Sequence, residues 1–345
     1  MRVLIVRLSA MGDLVQTLPA ITDAKRARPE ITFDWVVDES FADVPRMHPG
    51  IDRVIPSSFK RYGRGWRRAF ASGEVQTFLK QLREYRYDLI IDVQGEFKSA
   101  LAALLARGSR AGYVGTDVHE WGAHLTYATR HRAAKGQHSL VRMRQLLASV
   151  LKYEFDPDVI DYGIDRSRLP QIDIDLPRRY LVYIHSTSWT SKNWPIDHWR
   201  RVIALARGAD YTIVLPWGSD AERLKSEDLK GDDNNVIVLP PMSIAQKAAI
   251  IADAIGTIGL DTGLSHISAA LGVPSVTVYG ATDPALVGAL GEDQVHVVPE
   301  FRCLYCHQKT CRFDGIERAE PVCLDAVSGA EVWQQLERLL ATRDA

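Results

Sequence analysis

The segment Asp261-Thr262-Gly263-Leu264-Ser265-His266 places a carboxylate, two hydroxyls and an imidazole around a glycine, between an apolar run and a stretch of helical spacing. The run before it, Ala254-Ile255-Gly256-Thr257-Ile258-Gly259-Leu260, is too short for a membrane span and too β-rich and Gly-broken for a helix, so it reads as a strand. Leu264, Ile267, Ala270 and Leu271 then recur at helical spacing, Gly272 and Pro274 stop the helix, and residues 275–279 open another strand. In such a βαβ unit the unpaired amides of the helix's first turn point outward at the strand's carboxyl end, with the positive end of the dipole, and suit a phosphate. Thr262 adds a hydroxyl, Gly263 admits close approach, and His266, one turn on, reaches the same anion. The bland alternative is that Asp261 or Thr262 caps the helix and binds nothing.

Four further constellations carry chemistry. Asp13 follows the first strand directly, in Leu8-Ser9-Ala10-Met11-Gly12-Asp13, where it serves as a helix N-cap or as a general base. The pattern G-x-G-x-x-G is absent there, which argues against a nicotinamide enzyme. The hydroxyl-rich stretch from His185 through Thr187 and Ser188 to Lys192 suits phosphate oxygens, and Glu222, past the end of another strand, suits ribose hydroxyls; a solvated loop and a solvated Glu are the alternatives. Residues 60–68 hold five cations and two aromatics, with Lys60, Arg61, Arg64 and Arg67 among them. Two glycines argue against a regular helix, so the expectation is a loop that wraps an anionic sugar or phosphorylated lipid head. All four cysteines fall in one segment, Cys303-x2-Cys306-x4-Cys311-x11-Cys323, which suits one tetrahedral structural Zn or Fe; packed free thiols are the alternative.

The elements that position these groups alternate strand and helix along 345 residues, which makes an α/β chain of two doubly wound, Rossmann-like domains. The Asp- and Pro-rich stretch 156–177 marks the joint, giving domains 1–165 and 166–325. A closing helix in 326–345 has Val332, Leu336 and Leu339 on one stripe and is expected to pack back toward the first domain. Hydrophobic residues at 46%, charged residues at 25% and a net charge of −1 exclude a disordered or nucleic-acid-coating chain. Residues 3–6 are apolar before Arg7 interrupts, so the start reads as a strand and not as a signal peptide. The expected location is the cytoplasm, with any membrane contact peripheral.

Taken together, residues 2–6 with Met11-Gly12-Asp13, Phe33-Asp34-Trp35-Val36-Val37, Asp92-Val93-Gln94-Gly95 with Lys98-Ser99, Lys192-Asn193-Trp194-Pro195, Leu215-Pro216-Trp217-Gly218 and residues 261–266 with 279–284 resemble the lipopolysaccharide heptosyltransferase family over nearly the whole chain. The resemblance implies a GT-B fold, two Rossmann-like domains facing a central cleft, and transfer of heptose from ADP-heptose to the Kdo of Kdo2-lipid A with inversion and without a catalytic metal. It implies Asp13 as general base. Lys192, Thr187, Ser188, Thr262, Gly263 and His266 would hold the diphosphate, with Asp261 on the heptose, Glu222 on the ribose and Met242 at the adenine. Lys60, Arg61, Arg64, Arg67, Gln94 and Lys98 fall on the acceptor side, at the cytoplasmic face of the inner membrane. Two departures leave the acceptor open between Kdo, a core heptose and an autotransporter protein: His119-Glu120 replaces an Arg-Glu pair, and the four cysteines resemble motifs of heptosyltransferases with other acceptors. A sugar-nucleotide epimerase and a metal-bearing nucleotide sensor are the rivals; neither would release ADP in an acceptor-dependent way.

Overall fold

The structure is a computed structural model describing residues 1–318 and 320–343, the side chains of Lys60, Tyr62, Arg64 and Trp66 excepted. The chain divides into two compact units, Met1–Arg168 and the remainder from Leu169. The first unit runs β1 (Arg2–Val6), α1 (Met11–Ala27), β2 (Thr32–Asp38), α2 (Asp43–Arg46), β3 (Ile51–Ser57), α3 (Phe59–Ala71), α4 (Glu74–Leu82), β4 (Tyr87–Asp92), α5 (Phe97–Leu105), β5 (Gly108–Tyr113), β6 (Thr129–His131) and α6 (Ser139–Leu151). The second runs β7 (Tyr180–Ile184), α7 (Ile196–Gly208), β8 (Thr212–Leu215), α8 (Asp220–Lys230), β9 (Val236–Val238), α9 (Ile244–Ala252), β10 (Gly256–Leu260), α10 (Gly263–Ala270), β11 (Ser275–Val278), α11 (Pro284–Val287), β12 (Gln294–Val297), α12 (Val322–Asp325) and α13 (Gly329–Arg343).

Among the described residues each unit holds one six-stranded parallel sheet, ordered β3-β2-β1-β4-β5-β6 in the first and β12-β11-β10-β7-β8-β9 in the second. Counted within its own unit, each is the same doubly wound arrangement. The order reverses between β1 and β4 and again between β10 and β7, and a crevice for ligands opens at the carboxyl ends of those pairs. The central strands β1, β7 and β10 are buried from end to end, apart from Arg2 at the start of β1, as strands covered on both faces must be.

In the first unit Leu4, Val6, Val36 and Ile90 form the core beside β1, and α6 lies along α1, where the buried Arg144 is gripped by both oxygens of Asp23. In the second, Trp194 and Trp199 pack edge to face beneath β7. Val332, Trp333 and Leu336 of α13 are buried against α7 and β10. Of the stripe expected to reach toward the first domain, Val332 and Leu336 are buried in the second unit's core and Leu339 packs partly buried against it. Gly259 fixes the last close fit: a Cβ there would stand 2.5 Å from Ser265 Oγ, which instead donates to Leu260 O at 2.6 Å and holds α10 tight on β10.

Candidate active site

At the second unit's switch point β10 ends at Leu260 and α10 begins at Gly263, with Thr262 between them in an extended conformation whose side chain makes no cap hydrogen bond. Asp261 does not cap the helix either. The residue is 7% exposed, Lys192 Nζ lies 2.6 Å from Oδ2, the Thr282 hydroxyl donates to that same oxygen, and His266 Nε2 lies 3.8 Å from Oδ1. Burial alone would push the carboxyl's pKa up. The hydrogen bond from His266, the charge and hydrogen bond of Lys192 and the charge of His266 together hold it far below the usual carboxylate range. The side-chain capping alternative is thus set aside; Ser265 N and His266 N donate to Thr262 O, which leaves the Gly263 and Leu264 amides of the first turn for an outside partner.

Lys192 reaches this point because it ends a 3-10 turn, Thr190–Lys192, that is pinned from outside. Ser191 N and Thr190 Oγ1 each donate to Lys309 O at 3.2 Å, and the Ser191 hydroxyl donates to Gln308 O. Lys192 Nζ also sits 4.5 Å from the centre of the Trp189 ring. Thr187 is half-buried and Ser188 exposed in the same loop. His185, in contrast, is core: burial and the nearby Lys225 charge push its pKa down to about 4, and it bonds the Ser226 hydroxyl at 3.0 Å. Glu222 lies in the first turn of α8, where its Oε2 accepts from Gly218 N at 2.6 Å, and Met242 is half-buried just before α9. Thr282 and Trp189 had no role in the sequence reading. Thr282 lay in a quoted motif, but the residue type alone gave no reason to expect it on a carboxylate 21 positions away.

At the first unit's switch point Asp13 is the third residue of α1, not its N-cap, which is Ala10. Asp13 Oδ2 accepts from Ala10 N at 3.2 Å and lies 2.8 Å from Arg7 Nη2, with about a third of the side chain exposed. Arg7 is held in turn by Val93 O at 2.9 Å. Gln94 is buried: its Oε1 accepts from Leu8 N and its Nε2 donates to Glu96, each at 2.8 Å, so it ties the β1 and β4 turns together. Asp92 anchors the β4 turn through Gln94 N, Gly95 N, Ser99 and Tyr127. Lys98 is exposed, and His119 lies 3.9 Å from Glu96.

The basic segment 60–68 is not a loop. It belongs to α3, which tolerates Gly63 and departs from helical angles at Gly65, with φ −157° and ψ 51°. The glycines kink the helix without abolishing it, because the surrounding residues keep helical spacing. Arg61 is exposed but lies 3.2 Å from Glu39 and 3.0 Å from Glu74, so it is not free to wrap a ligand as expected. Arg67 is exposed; the side chains of Lys60 and Arg64 lie outside the described residues.

Cys311 and Cys323 are buried, Cys303 is half-buried and Cys306 exposed. Burial and the nearness of Cys303, Cys311 and Cys306 push the Cys323 thiol up to about 11. Among the described residues no group of three or more His, Cys, Asp or Glu side chains is arranged to hold a metal ion. The same segment supplies the carbonyls that pin the Lys192 turn, and its Tyr305 and His307 amides donate to Gly280 O and Ala281 O beside Thr282.

Two doubly wound units in tandem, one with a carboxylate at its switch point and one with a helix N-terminus beside a lysine and a histidine, form the architecture that GT-B glycosyltransferases share with other enzymes of nucleotide-activated sugars. The comparisons narrow the class. The model of Glycosyltransferase family 9 (heptosyltransferase) matches residues 75–317. Lipopolysaccharide heptosyltransferase 1 of Pseudomonas aeruginosa is 40% identical over 350 residues, spanning 99% of this chain and 98% of that protein. The protein of the same name from Escherichia coli K12 is 42% identical over 296 residues, 86% of this chain and 92% of its own. The solved structure described as E. coli heptosyltransferase WaaC with ADP superposes with a TM-score of 0.86 at 37% identity, covering 98% of this chain and 100% of that one. The chain belongs to glycosyltransferase family 9, the heptosyltransferases.

Proposed function

We propose that the chain transfers L-glycero-D-manno-heptose from ADP-heptose to the Kdo of Kdo2-lipid A, inverting the anomeric centre, at the cytoplasmic face of the inner membrane. The observation that carries this reading is the turn after β10, where uncapped helix amides, Lys192 and His266 converge on one crevice. Structures of the E. coli relative, described as complexes with ADP and with ADP-2-deoxy-2-fluoro heptose, support the choice of donor. Lys192, Thr187, Ser188, Thr262, Gly263 and His266 take the diphosphate, Asp261 the heptose, Glu222 the ribose and Met242 the adenine. The acceptor hydroxyl attacks the anomeric carbon while Asp13 removes its proton, and the bond to the diphosphate oxygen breaks on the opposite face. ADP leaves with the electron pair, its charge met by Lys192 and the α10 dipole, which take the place a cation would fill. Arg7 holds the Asp13 carboxylate for this task. Lys60, Arg64, Arg67 and Lys98 draw in the anionic acceptor, Arg61 is held by Glu39 and Glu74, and Gln94 fixes the β1 and β4 turns.

Titration calorimetry with ADP tests the donor site. Lys192→Ala and His266→Ala should each weaken ADP more than a deacylated Kdo-lipid A acceptor, and unchanged ADP affinity in both variants would overturn the placement. The four cysteines carry a finer reading, one structural Zn or Fe that draws the thiols together on binding. Elemental analysis of protein purified without added metal decides it. About one equivalent supports the site; less than about a tenth of an equivalent leaves four packed thiols.

A further inference from the structure

Five large apolar side chains of the first unit stand in water in one place. Phe97, Leu101, Leu104, Trp121 and Leu125 are 59%, 47%, 46%, 77% and 64% exposed. The first three recur at i, i+4 and i+7 along α5, so they share a face, while Ala100, Ala102 and Ala103 of the same helix are buried. Trp121 and Leu125 come from the turn around the 3-10 segment Ala123–Thr126, which packs on α5. Phe97 N donates to Glu120 Oε2 at 2.6 Å, and the Phe97 ring lies so near Gly122 that a Cβ there would meet it at 3.3 Å. The two elements thus present one continuous surface, of a kind that monomers rarely leave to solvent without a partner.

Its surroundings identify the partner by charge. Arg110 Nε donates to Thr126 O at 2.8 Å and Arg130 Nε to His124 O at 3.0 Å, fixing two guanidinium groups on the backbone carbonyls that flank Leu125 in the chain. Lys98 and Arg107 are exposed near the two ends of α5. The two acids flanking this face are both engaged, Glu120 with the Phe97 amide and Glu96, at the start of α5, with Gln94 Nε2. An aromatic and aliphatic face rimmed by Arg and Lys is what a bilayer's headgroup level accepts, apolar tips toward the acyl boundary and cations on the lipid phosphates. The position fits as well: α5 starts just past the β4 turn of Asp92 and Gln94, at the first unit's switch point.

We propose that this face of α5 and the Trp121–Leu125 turn seats the first unit on an anionic lipid bilayer, beside the site that receives the acceptor. The idea rests on the reading of the acceptor as lipid-borne, and its test keeps the two apart. Full-length wild type, Trp121→Ser/Leu125→Ser and Leu101→Ser are floated with vesicles of phosphatidylcholine, with and without phosphatidylglycerol. All three are also assayed for heptosyl transfer to deacylated, water-soluble Kdo-lipid A. Wild type should float with the phosphatidylglycerol vesicles and be partly released by salt. The double variant should partition about tenfold less or worse, and Leu101→Ser, from the other element, should fall in the same direction. All three should transfer heptose to the soluble acceptor equally, which certifies their folding. Equal flotation of wild type and both variants overturns the proposal, as does failure of wild type to bind either vesicle. A wild-type dimer that the double variant converts to monomer in sedimentation also overturns it, because a second copy would then be the occupant. If flotation behaves as expected while wild type transfers nothing to the soluble acceptor, the surface stands and the acceptor reading fails.

Discussion

Replacing Lys192 by alanine leaves the Asp261 carboxylate buried, with Thr282 and His266 as the remaining partners. Breaking a buried ion pair by removing one member costs about 3–5 kcal/mol, and the Thr282 hydroxyl puts this case near the lower end, about 3 kcal/mol. For a body the size of the second unit, each kcal/mol moves Tm by about 2–4 °C, so the variant should melt about 6–12 °C below wild type at neutral pH. The sign with pH follows from the direction of the shift. The folded carboxyl titrates below its unfolded value of about 3.9, so its contribution is complete above that value and is lost as pH falls toward the folded one, at about 1.4 kcal/mol per pH unit. In Lys192→Ala the desolvation that opposes ionisation is far less well compensated, so Asp261 takes up a proton at higher pH and the gap between the proteins closes in acid. Calorimetric melting at about pH 7 and about pH 3.5 reads both effects. Lys192→Ala/Asp261→Asn should lose less than the sum of the single variants. A Tm loss under about 2 °C at neutral pH, or a gap that persists in acid, would refute the coupling.

Asp13→Asn should leave ADP binding nearly intact and lower turnover by roughly 100- to 10,000-fold, as expected for a lost general base; near-normal turnover in a steady-state assay would remove Asp13 from the chemistry. Arg7→Met should cut kcat more than it raises either KM, because it frees the Asp13 side chain without touching a substrate, and a pure KM effect would place Arg7 on a ligand instead. Neutralising Arg64 and Arg67 together should raise the acceptor KM alone, and added salt should mimic the change through a Debye length of about 8 Å at physiological strength. Equal damage to both substrates would make that face of α3 structural.

The strands that build the two switch points were legible because both of their faces are buried, which forces apolar runs such as Val3 to Val6 and Ile258 to Leu260. β5 (Gly-Ser-Arg-Ala-Gly-Tyr), β6 (Thr-Arg-His) and β12 (Gln-Val-His-Val) lie at or near sheet edges, carry no such run, and went unseen. Segment 60–68 was misjudged because two glycines were weighed above helical spacing, and packing of α3 against α4 outweighs their intrinsic cost. The phosphate-binding turn was readable from local order, strand then Thr-Gly then helix. Its buried pairing with Lys192 was not, since a contact across 69 residues leaves no local trace. Arg7 offered a signal that went unused: a cation one residue past β1, at the strand end that also carries Asp13. The brace that residues 308 and 309 place on the Lys192 turn is made by backbone carbonyls, which no side-chain pattern announces.

Incubating the protein with ADP-heptose and deacylated Kdo-lipid A, and reading both ADP release and product mass, bears most directly on the central claim. The account predicts an acceptor heavier by one heptosyl residue, in the inverted configuration, with ADP released only when the acceptor is present and without added metal. Release of ADP at the same rate with and without acceptor, or a donor that binds and is returned unchanged, would contradict it.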